Sequence, residues 1–162
     1  MYTGYWRKPG ETAAAMRGGW HHTGDLGRFD EDGYLIFVDR KKDALRRRGE
    51  NVSSVQLESA ITSHPKIAEA AVIAVPSEMT EDDIKACIVL EGGVSISPEE
   101  LFGFFAETLP YFAMPRYVEV VDALPKTATM RVQKHVLREA GITPATWDFE
   151  ALGLRLARED RR

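Results

Sequence analysis

Three short segments of this 162-residue chain carry side chains that suit chemistry on hydroxyl or phosphate groups. The first is the tight turn Thr23-Gly24-Asp25, where the carboxylate can accept hydrogen bonds from two neighbouring hydroxyls, as a ribose 2′,3′-diol supplies. Such turns are common in loops, so the residues taken alone favour a structural turn. His21 and His22 precede it without a third spaced ligand, and we predict no metal site.

The second segment, DRKKDALRRRGEN, is strongly basic and contains Gly49, where a backbone can approach a partner closely. Phosphate is the natural partner, because guanidinium groups match its oxygens in pairs and lysine adds a point charge. A solvated basic loop is the alternative. Nucleic-acid binding has little support, because no aromatic residues interleave the cations. The cations are Arg40, Lys41, Lys42, Arg46, Arg47 and Arg48.

The third segment, LPKTATMRVQKHVLR, is a proline-bounded loop that leads into a helical pattern. It carries Lys126 and Arg131 on the loop and Lys134 on the helix. Cations on a mobile loop can stabilise charge that develops at phosphorus, although a plain basic surface is the alternative. The chain has no GxSxG elbow to seat a hydrolytic nucleophile.

The bulk composition is that of an ordinary globular protein, with 44% hydrophobic and 28% charged residues. The net charge of -4 argues against a general nucleic-acid binder. No run approaches the ~20 apolar residues of a membrane span, and the first residues lack an apolar signal stretch. We therefore expect a soluble, cytoplasmic protein. Its single cysteine, Cys87, lies in an apolar run and is expected to be a buried filler.

The elements that must position these segments follow from periodicity and turn signals. A hairpin is predicted around the turn Asp30 to Gly33, with a strand from Tyr34 to Val38. Ser53 and Gln56 form a capping box for a helix at about 54 to 64, and Ser97 begins a second helix whose inner face carries Leu101, Phe104, Phe105 and Leu109. Strands are expected at 67 to 75, 84 to 90 and 117 to 121, and a last helix at 132 to 140.

Together these elements predict an α+β fold, a small mixed or antiparallel sheet flanked by helices and preceded by a β-hairpin. The texture of the sequence changes near Asp39, so we place a boundary at about residues 39 to 42. The predicted organisation is residues 1–39, a domain at 40–141 that ends with Gly141 as a helix cap, and a tail at 142–162.

In this order, GWHHTGDLGRFDEDGYLIFVDRKKD, RRRGENVSSVQLE and LPKTATMRVQK resemble the carboxy-terminal motifs of the adenylate-forming superfamily. That superfamily includes acyl-CoA synthetases, nonribosomal peptide adenylation domains and firefly luciferase. The resemblance extends over nearly the whole chain, and RRRGENVSS and VQKHVLR look most like crotonobetaine/carnitine-CoA ligases.

The resemblance implies an ATP-dependent acyl-CoA ligase with ATP/AMP, CoA and Mg²⁺ as cofactors. A carboxylate would attack the α-phosphate of ATP to form an acyl-adenylate and pyrophosphate, and the thiol of CoA would then displace AMP. Asp25 and Arg40 match the pair that holds the ribose hydroxyls, Lys42 matches the hinge, and Glu58 ends the second motif on its helix. The residues expected to face the active site in the second step are Arg46, Arg48 and Gly49.

The chain departs from the family pattern in its last motif. Met130 stands where glycine is usual, and Arg131 occupies the position of the catalytic lysine. Arginine keeps the charge but replaces a compact ammonium with a planar fork, so the adenylation step is in question. Lys134 and Lys126 are the candidates to substitute for that lysine.

The resemblance also implies a partner for this chain. The ATP-phosphate loop, the acyl pocket and most of the Mg²⁺ site belong to a larger amino-terminal domain, of which residues 1–39 would be the end. We expect the chain to be inactive without that domain, with a carboxylic acid and CoA as substrates. Exposed Trp6, Trp20 and Phe37 would favour self-association. The alternative is a stand-alone, non-catalytic module that binds a nucleotide, CoA or another protein.

Overall fold

The computed structural model describes residues 3–47, 49–77 and 81–156. The chain divides into two compact units, Met1–Lys42 and Asp43–Arg162. The division therefore lies directly after Lys42, at the end of the interval in which the sequence changes texture. No helix in the described part is long and apolar enough to span a bilayer.

The amino-terminal unit is a short helix followed by an antiparallel hairpin. Proline at the first position and three consecutive alanines favour the helix α1, Pro9–Ala15, which the sequence patterns did not predict. The hairpin consists of β1, Asp25–Phe29, and β2, Leu35–Arg40. Its turn is closed by Asp30, whose Oδ1 accepts hydrogen bonds from the backbone N–H groups of Asp32 and Tyr34 at 3.1 and 2.8 Å. The predicted hairpin is confirmed.

The carboxy-terminal unit contains a four-stranded sheet whose neighbouring strands are, in order, β5 (Ile67–Val75), β6 (Asp83–Leu90), β7 (Tyr117–Val120) and β8 (Trp147–Asp148). Its central pair is parallel and its outer pairs are antiparallel, so the sheet is mixed. Helices flank it, which confirms the predicted α+β fold. The elements are β3, Leu45–Arg47; β4, Glu50–Val52; α2, Ser54–Ile61; β5, Ile67–Val75; β6, Asp83–Leu90; α3, Pro98–Thr108; β7, Tyr117–Val120; α4, Lys134–Ala140; and β8, Trp147–Asp148.

Alternation along the strands gives the sheet two buried faces. Val72, Ile84 and Val118 belong to the cluster that includes residues of α2 and α3. Ile73 and Cys87 belong to a second cluster that includes Leu137 of α4. Burial raises the pKa of the Cys87 thiol to about 11, which confirms its predicted role as a buried filler.

The predicted helix starts of α2 and α3 are confirmed by their caps. Ser53 Oγ accepts a hydrogen bond from the Gln56 N–H at 3.3 Å, and Ser97 Oγ accepts one from the Glu100 N–H at 3.2 Å. The helix α2 ends at Ile61, three residues before the predicted end at 64, and the hydroxyl of Thr62 turns back to the Glu58 and Ser59 carbonyls.

Two predictions for the carboxy-terminal third were wrong. The helix α4 begins at Lys134 instead of Val132, because Val132 is held extended in a bridge with Lys126. The segment treated as a tail from residue 142 contributes β8, which pairs with β7, and Phe149, which is fully buried. A two-residue strand carries too little periodicity to be recognised in a sequence.

A buried ion pair fastens this segment to the sheet. Lys85 on β6 is almost fully buried, and its Nζ lies 2.5 Å from Glu119 on β7 and 2.5 Å from the Gly141 carbonyl. The hydroxyls of Thr143 and Thr146 donate to Glu119 at 2.9 Å each. Burial alone would raise the pKa of Glu119, but hydrogen bonds from Lys85, Thr146 and Thr143 lower it below its usual range.

We expect Glu119→Gln to lower the free energy of unfolding at pH 7 by about 3 kcal/mol or more, because it leaves Lys85 buried without its counter-charge. The folded-state pKa is lowered, so the stability supplied by the carboxylate is present above its ordinary pKa of 4.5 and is lost as the pH falls through the folded value. The difference between the two proteins in urea unfolding should therefore shrink on acidification. Exposed Glu139→Gln is the matched control, and an equal, pH-independent loss in both variants would contradict the prediction.

Candidate functional site

The hairpin of the amino-terminal unit brings Asp25 and Arg40 together. They are paired across the two strands, and Arg40 Nε lies 2.9 Å from Asp25 Oδ1. Arg40 Nη1 also donates to the Thr23 carbonyl at 3.2 Å, and the Lys41 N–H donates to the Gly24 carbonyl at 2.8 Å. The turn and the strand end are thus fastened to each other by both side-chain and backbone bonds.

This pair combines an acceptor and a donor on one accessible surface. The side chains of Arg40 and Asp25 are 46% and 35% exposed, so both retain surface for a ligand. A diol donates through its hydroxyl hydrogens and accepts through its oxygens, which matches a carboxylate beside a guanidinium. A cavity of about 410 Å³ opens next to Asp25, lined by Ala14, Arg17, His21, His22, Thr23, Gly24 and Lys41 as well.

The basic segment is a second hairpin, β3 with β4, where the sequence suggested a loop. Leu45 and Arg47 point inward and are buried, whereas Arg46 between them is exposed. Arg47 Nη1 donates to the Met114 carbonyl, and its Nη2 lies 3.1 Å from Asp83 Oδ1. Arg47 is therefore an anchor, and its inward direction follows from the alternation of side chains along the strand.

The other residues predicted for this basic site differ in their surroundings. Arg46 has no side-chain partner in the described part of the chain and faces solvent. Gly49 has a φ of +82° and donates its N–H to Glu81 Oε1 at 3.0 Å. Arg48 lies outside the described residues. Lys42 is exposed at the end of the amino-terminal unit.

The three cations of the last motif have different environments. Lys126 Nζ forms an ion pair with Glu69 at 2.6 Å. Lys134 Nζ lies 2.6 Å from Glu58 Oε1 and 2.7 Å from Ser54 Oγ. Arg131 is exposed, and its side chain has no hydrogen-bond or ion-pair partner among the described residues.

Glu58 serves as more than the end of its motif. Its Oε1 accepts a hydrogen bond from the Val72 N–H at 2.7 Å as well as from Lys134. Because β5 is an edge strand of the sheet, this carboxylate satisfies a backbone donor that the sheet leaves open. Glu58 thus connects α2, β5 and α4.

The sequence of the carboxy-terminal unit matches a known family. The profile of the AMP-binding enzyme C-terminal domain covers residues 56–131, which include the Glu58 carboxylate and Arg131. The chain belongs to the adenylate-forming family of AMP-binding enzymes and corresponds to their carboxy-terminal part. The resemblance found in the motifs is confirmed.

Several members of this family match the chain over most of its length. The crotonobetaine/carnitine–CoA ligase of Salmonella arizonae is 38% identical over 139 residues, which are 85% of this chain and 27% of that protein. ATP-bound MatB from Rhodopseudomonas palustris superimposes with a TM-score of 0.76 at 37% identity, over 86% of this chain and 28% of that one. The O-succinylbenzoate coenzyme A synthetase of Bacillus subtilis, solved with AMP, gives 0.72 at 31% identity, over 87% and 29%. This chain therefore spans about a quarter of the length of the curated relatives it matches.

Met130, at the position where the family pattern has glycine, adopts a left-handed backbone with a φ of +63°. A side chain in this conformation costs ~1 kcal/mol, and Met130 as a residue is 70% exposed, so removal of its side chain sacrifices little packing. We expect Met130→Gly to be about 0.5–1 kcal/mol more stable than Met130→Ala in urea unfolding.

The control is Ala128→Gly in the same exposed loop, where φ is not positive. Ala128→Gly should lower the free energy of unfolding by ~0.5–1 kcal/mol. Glycine there adds conformational freedom to the unfolded chain and relieves no strain in the folded one. If Met130→Gly and Ala128→Gly lower the free energy of unfolding equally, the backbone at Met130 is not strained.

Proposed function

We propose that this chain is the carboxy-terminal lid of an ATP-dependent acyl-CoA ligase. The enzyme would convert a carboxylic acid, ATP and CoA into acyl-CoA, AMP and pyrophosphate through an acyl-adenylate. The observation that carries this proposal is the Asp25–Arg40 pair, an accessible donor and acceptor at 2.9 Å, in a chain of the adenylate-forming family. The relatives that it matches are named as CoA ligases or synthetases, and one of them was solved with AMP. These names support the same activity.

In this proposal Asp25 accepts hydrogen bonds from the ribose hydroxyls and Arg40 donates to them. The contact of Arg40 with the Thr23 carbonyl fixes its guanidinium beside the carboxylate, so the pair needs little reorganisation when the nucleotide binds. Arg131 is the cation of the last motif that is accessible to phosphate. Stabilising charge on the α-phosphate during adenylation is its proposed role.

The second step would use another face of the lid. Arg46 faces solvent and Gly49 has an open left-handed backbone, both on the β3–β4 hairpin, and Arg48 is assigned to the same face from its motif alone. Lys42 is the proposed hinge, and it is the last residue of the amino-terminal unit. Rotation about one residue would let a single site meet the charge demands of two reactions in turn.

The proposal also assigns a place to Mg²⁺ and to the ATP phosphates. The family resemblance is the basis for assigning Mg²⁺ and the ATP phosphates to an amino-terminal domain. Within the described ranges, no cluster of three or more His, Cys, Asp or Glu side chains is placed to hold a metal. Residues 1–39 would complete that domain, and the apolar side chains they expose, such as Trp6 and Phe37, would pack against it. In this scheme the chain acts in the cytoplasm and is inactive alone.

A non-catalytic module that binds a nucleotide, CoA or a protein is the second candidate. The observation that favours it is the state of the last motif, where Arg131 replaces lysine and both nearby lysines are engaged by carboxylates. Such a module would bind AMP through Asp25 and Arg40 without supporting adenylation. A measurement of the adenylation step separates the two functions.

The test is a chimera in which this chain replaces the aligned carboxy-terminal segment of the Salmonella arizonae ligase. We expect crotonobetaine-dependent ATP–pyrophosphate exchange, and we expect Asp25→Ala to reduce it about tenfold, because a charge-assisted hydrogen bond to a ribose hydroxyl is worth ~1.5 kcal/mol or more. Asp32→Ala, an exposed carboxylate in the turn of the same hairpin, is the control and should change little.

Absence of exchange in a folded chimera that still binds AMP would favour the non-catalytic module. Equal effects of Asp25→Ala and Asp32→Ala would remove the ribose assignment while leaving the family membership intact.

The hinge makes a separate prediction in the same chimera. Lys42→Pro fixes φ at the proposed pivot and should slow acyl-CoA formation from a preformed acyl-adenylate much more than it slows pyrophosphate exchange. Lys41→Ala, at the exposed neighbouring position, should leave the ratio of the two rates unchanged. If Lys42→Pro lowers both steps equally, the pivot lies elsewhere.

A further inference from the structure

The loop that carries Arg131 is closed by its own backbone. The Thr127 N–H donates to the Arg131 carbonyl at 2.8 Å, and the Met130 N–H donates to the Thr127 carbonyl at 2.9 Å. The Arg131 N–H in turn donates to Thr127 Oγ1 at 3.2 Å. The loop therefore has a defined shape, with the Arg131 side chain left exposed at its end.

Each end of this loop is joined to the body of the unit through a lysine. Before the loop, Lys126 pairs with Val132 in a bridge and sends its ammonium to both oxygens of Glu69, at 2.6 and 2.7 Å. After the loop, the Gln133 N–H donates to the Pro125 carbonyl at 2.7 Å, and Lys134 reaches Glu58 and Ser54 on α2.

The two lysines reach carboxylates around the same edge strand. Glu69 lies on β5, and Glu58 binds the Val72 N–H of that strand. The side chains of Lys134 and Glu58 are only 13% and 20% exposed, so their attraction is less screened than that of a surface pair. Neither ammonium is available to a substrate without breaking its ion pair.

We propose that Lys126 and Lys134 are positioning residues that hold the Arg131 loop, so that of these three cations Arg131 is the one presented to the substrates. This inference rests on the proposed function for the role of Arg131, and on the structure itself for the roles of the lysines. It replaces the expectation that Lys126 or Lys134 substitutes for the lysine that Arg131 displaces.

The first test uses this chain by itself. Amide hydrogen exchange at Thr127 and Arg131 should become about tenfold faster in Lys126→Met and in Lys134→Met, which corresponds to ~1.4 kcal/mol of local opening free energy. Arg131→Ala, which removes a side chain without a described partner, should leave the Thr127 amide unchanged. Exchange of the β6 amides reports whether the fold is intact, and unchanged loop amides in both lysine variants would overturn the proposal.

The second test uses the chimera described above. Lys126→Glu should lower pyrophosphate exchange, and combining it with Glu69→Lys should restore most of the rate, because the ion pair is rebuilt with its charges reversed. A catalytic lysine would not be rescued in this way. Loss of exchange in Lys134→Met with unchanged loop amides would make Lys134 a catalytic residue and overturn the proposal. If the unsubstituted chimera has no activity, the proposed function fails, while the amide exchange still decides the roles of the lysines.

Discussion

A cation that leaves water needs a carboxylate beside it, and this requirement organises the carboxy-terminal unit. Basic side chains on β3, β6, α4 and several connecting segments end on acidic partners, and these pairs join segments distant in sequence. Lys85 holds β6 to β7 and to the segment after α4, while Arg47 holds the β3–β4 hairpin to the start of β6. Other pairs of this kind are Arg116 with Asp83 and Asp148, Lys126 with Glu69, Lys134 with Glu58, and Arg138 with Asp43.

The same requirement identifies the cations that remain for a ligand. Within the described ranges of this unit, Arg46 and Arg131 are exposed arginines of the basic motifs whose side chains have no protein partner. Arg46 lies on the β3–β4 hairpin, and Arg131 lies on the loop before α4. A neighbouring anchored cation fixes each segment, Arg47 for the hairpin and Lys126 for the loop. An anchored neighbour restricts the motion of the free group without consuming its charge, which is how a lid can present a cation at low entropic cost.

Much of this fold could be predicted from the sequence where the physical signal is local. The strand β5 has the predicted bounds, and the caps of α2 and α3 are made by the predicted serines. The β3–β4 hairpin was missed because three-residue strands rich in arginine have almost no hydrophobic period, and its anchor Asp83 lies 36 residues beyond Arg47. The strand β8 was missed for the same reason, since its place depends on pairing with β7.

The candidate site shows the same division between local and distant determinants. The proximity of Asp25 and Arg40 follows from a hairpin whose turn, Asp30 to Gly33, is legible in the sequence, because pairing outward from that turn brings the two ends together. The engagement of Lys126 and Lys134 could not be predicted, because their partners Glu69 and Glu58 come from elements 57 and 76 residues away. Spacing within a motif shows which cations are near one another, whereas burial and pairing across the fold determine which of them a phosphate can reach.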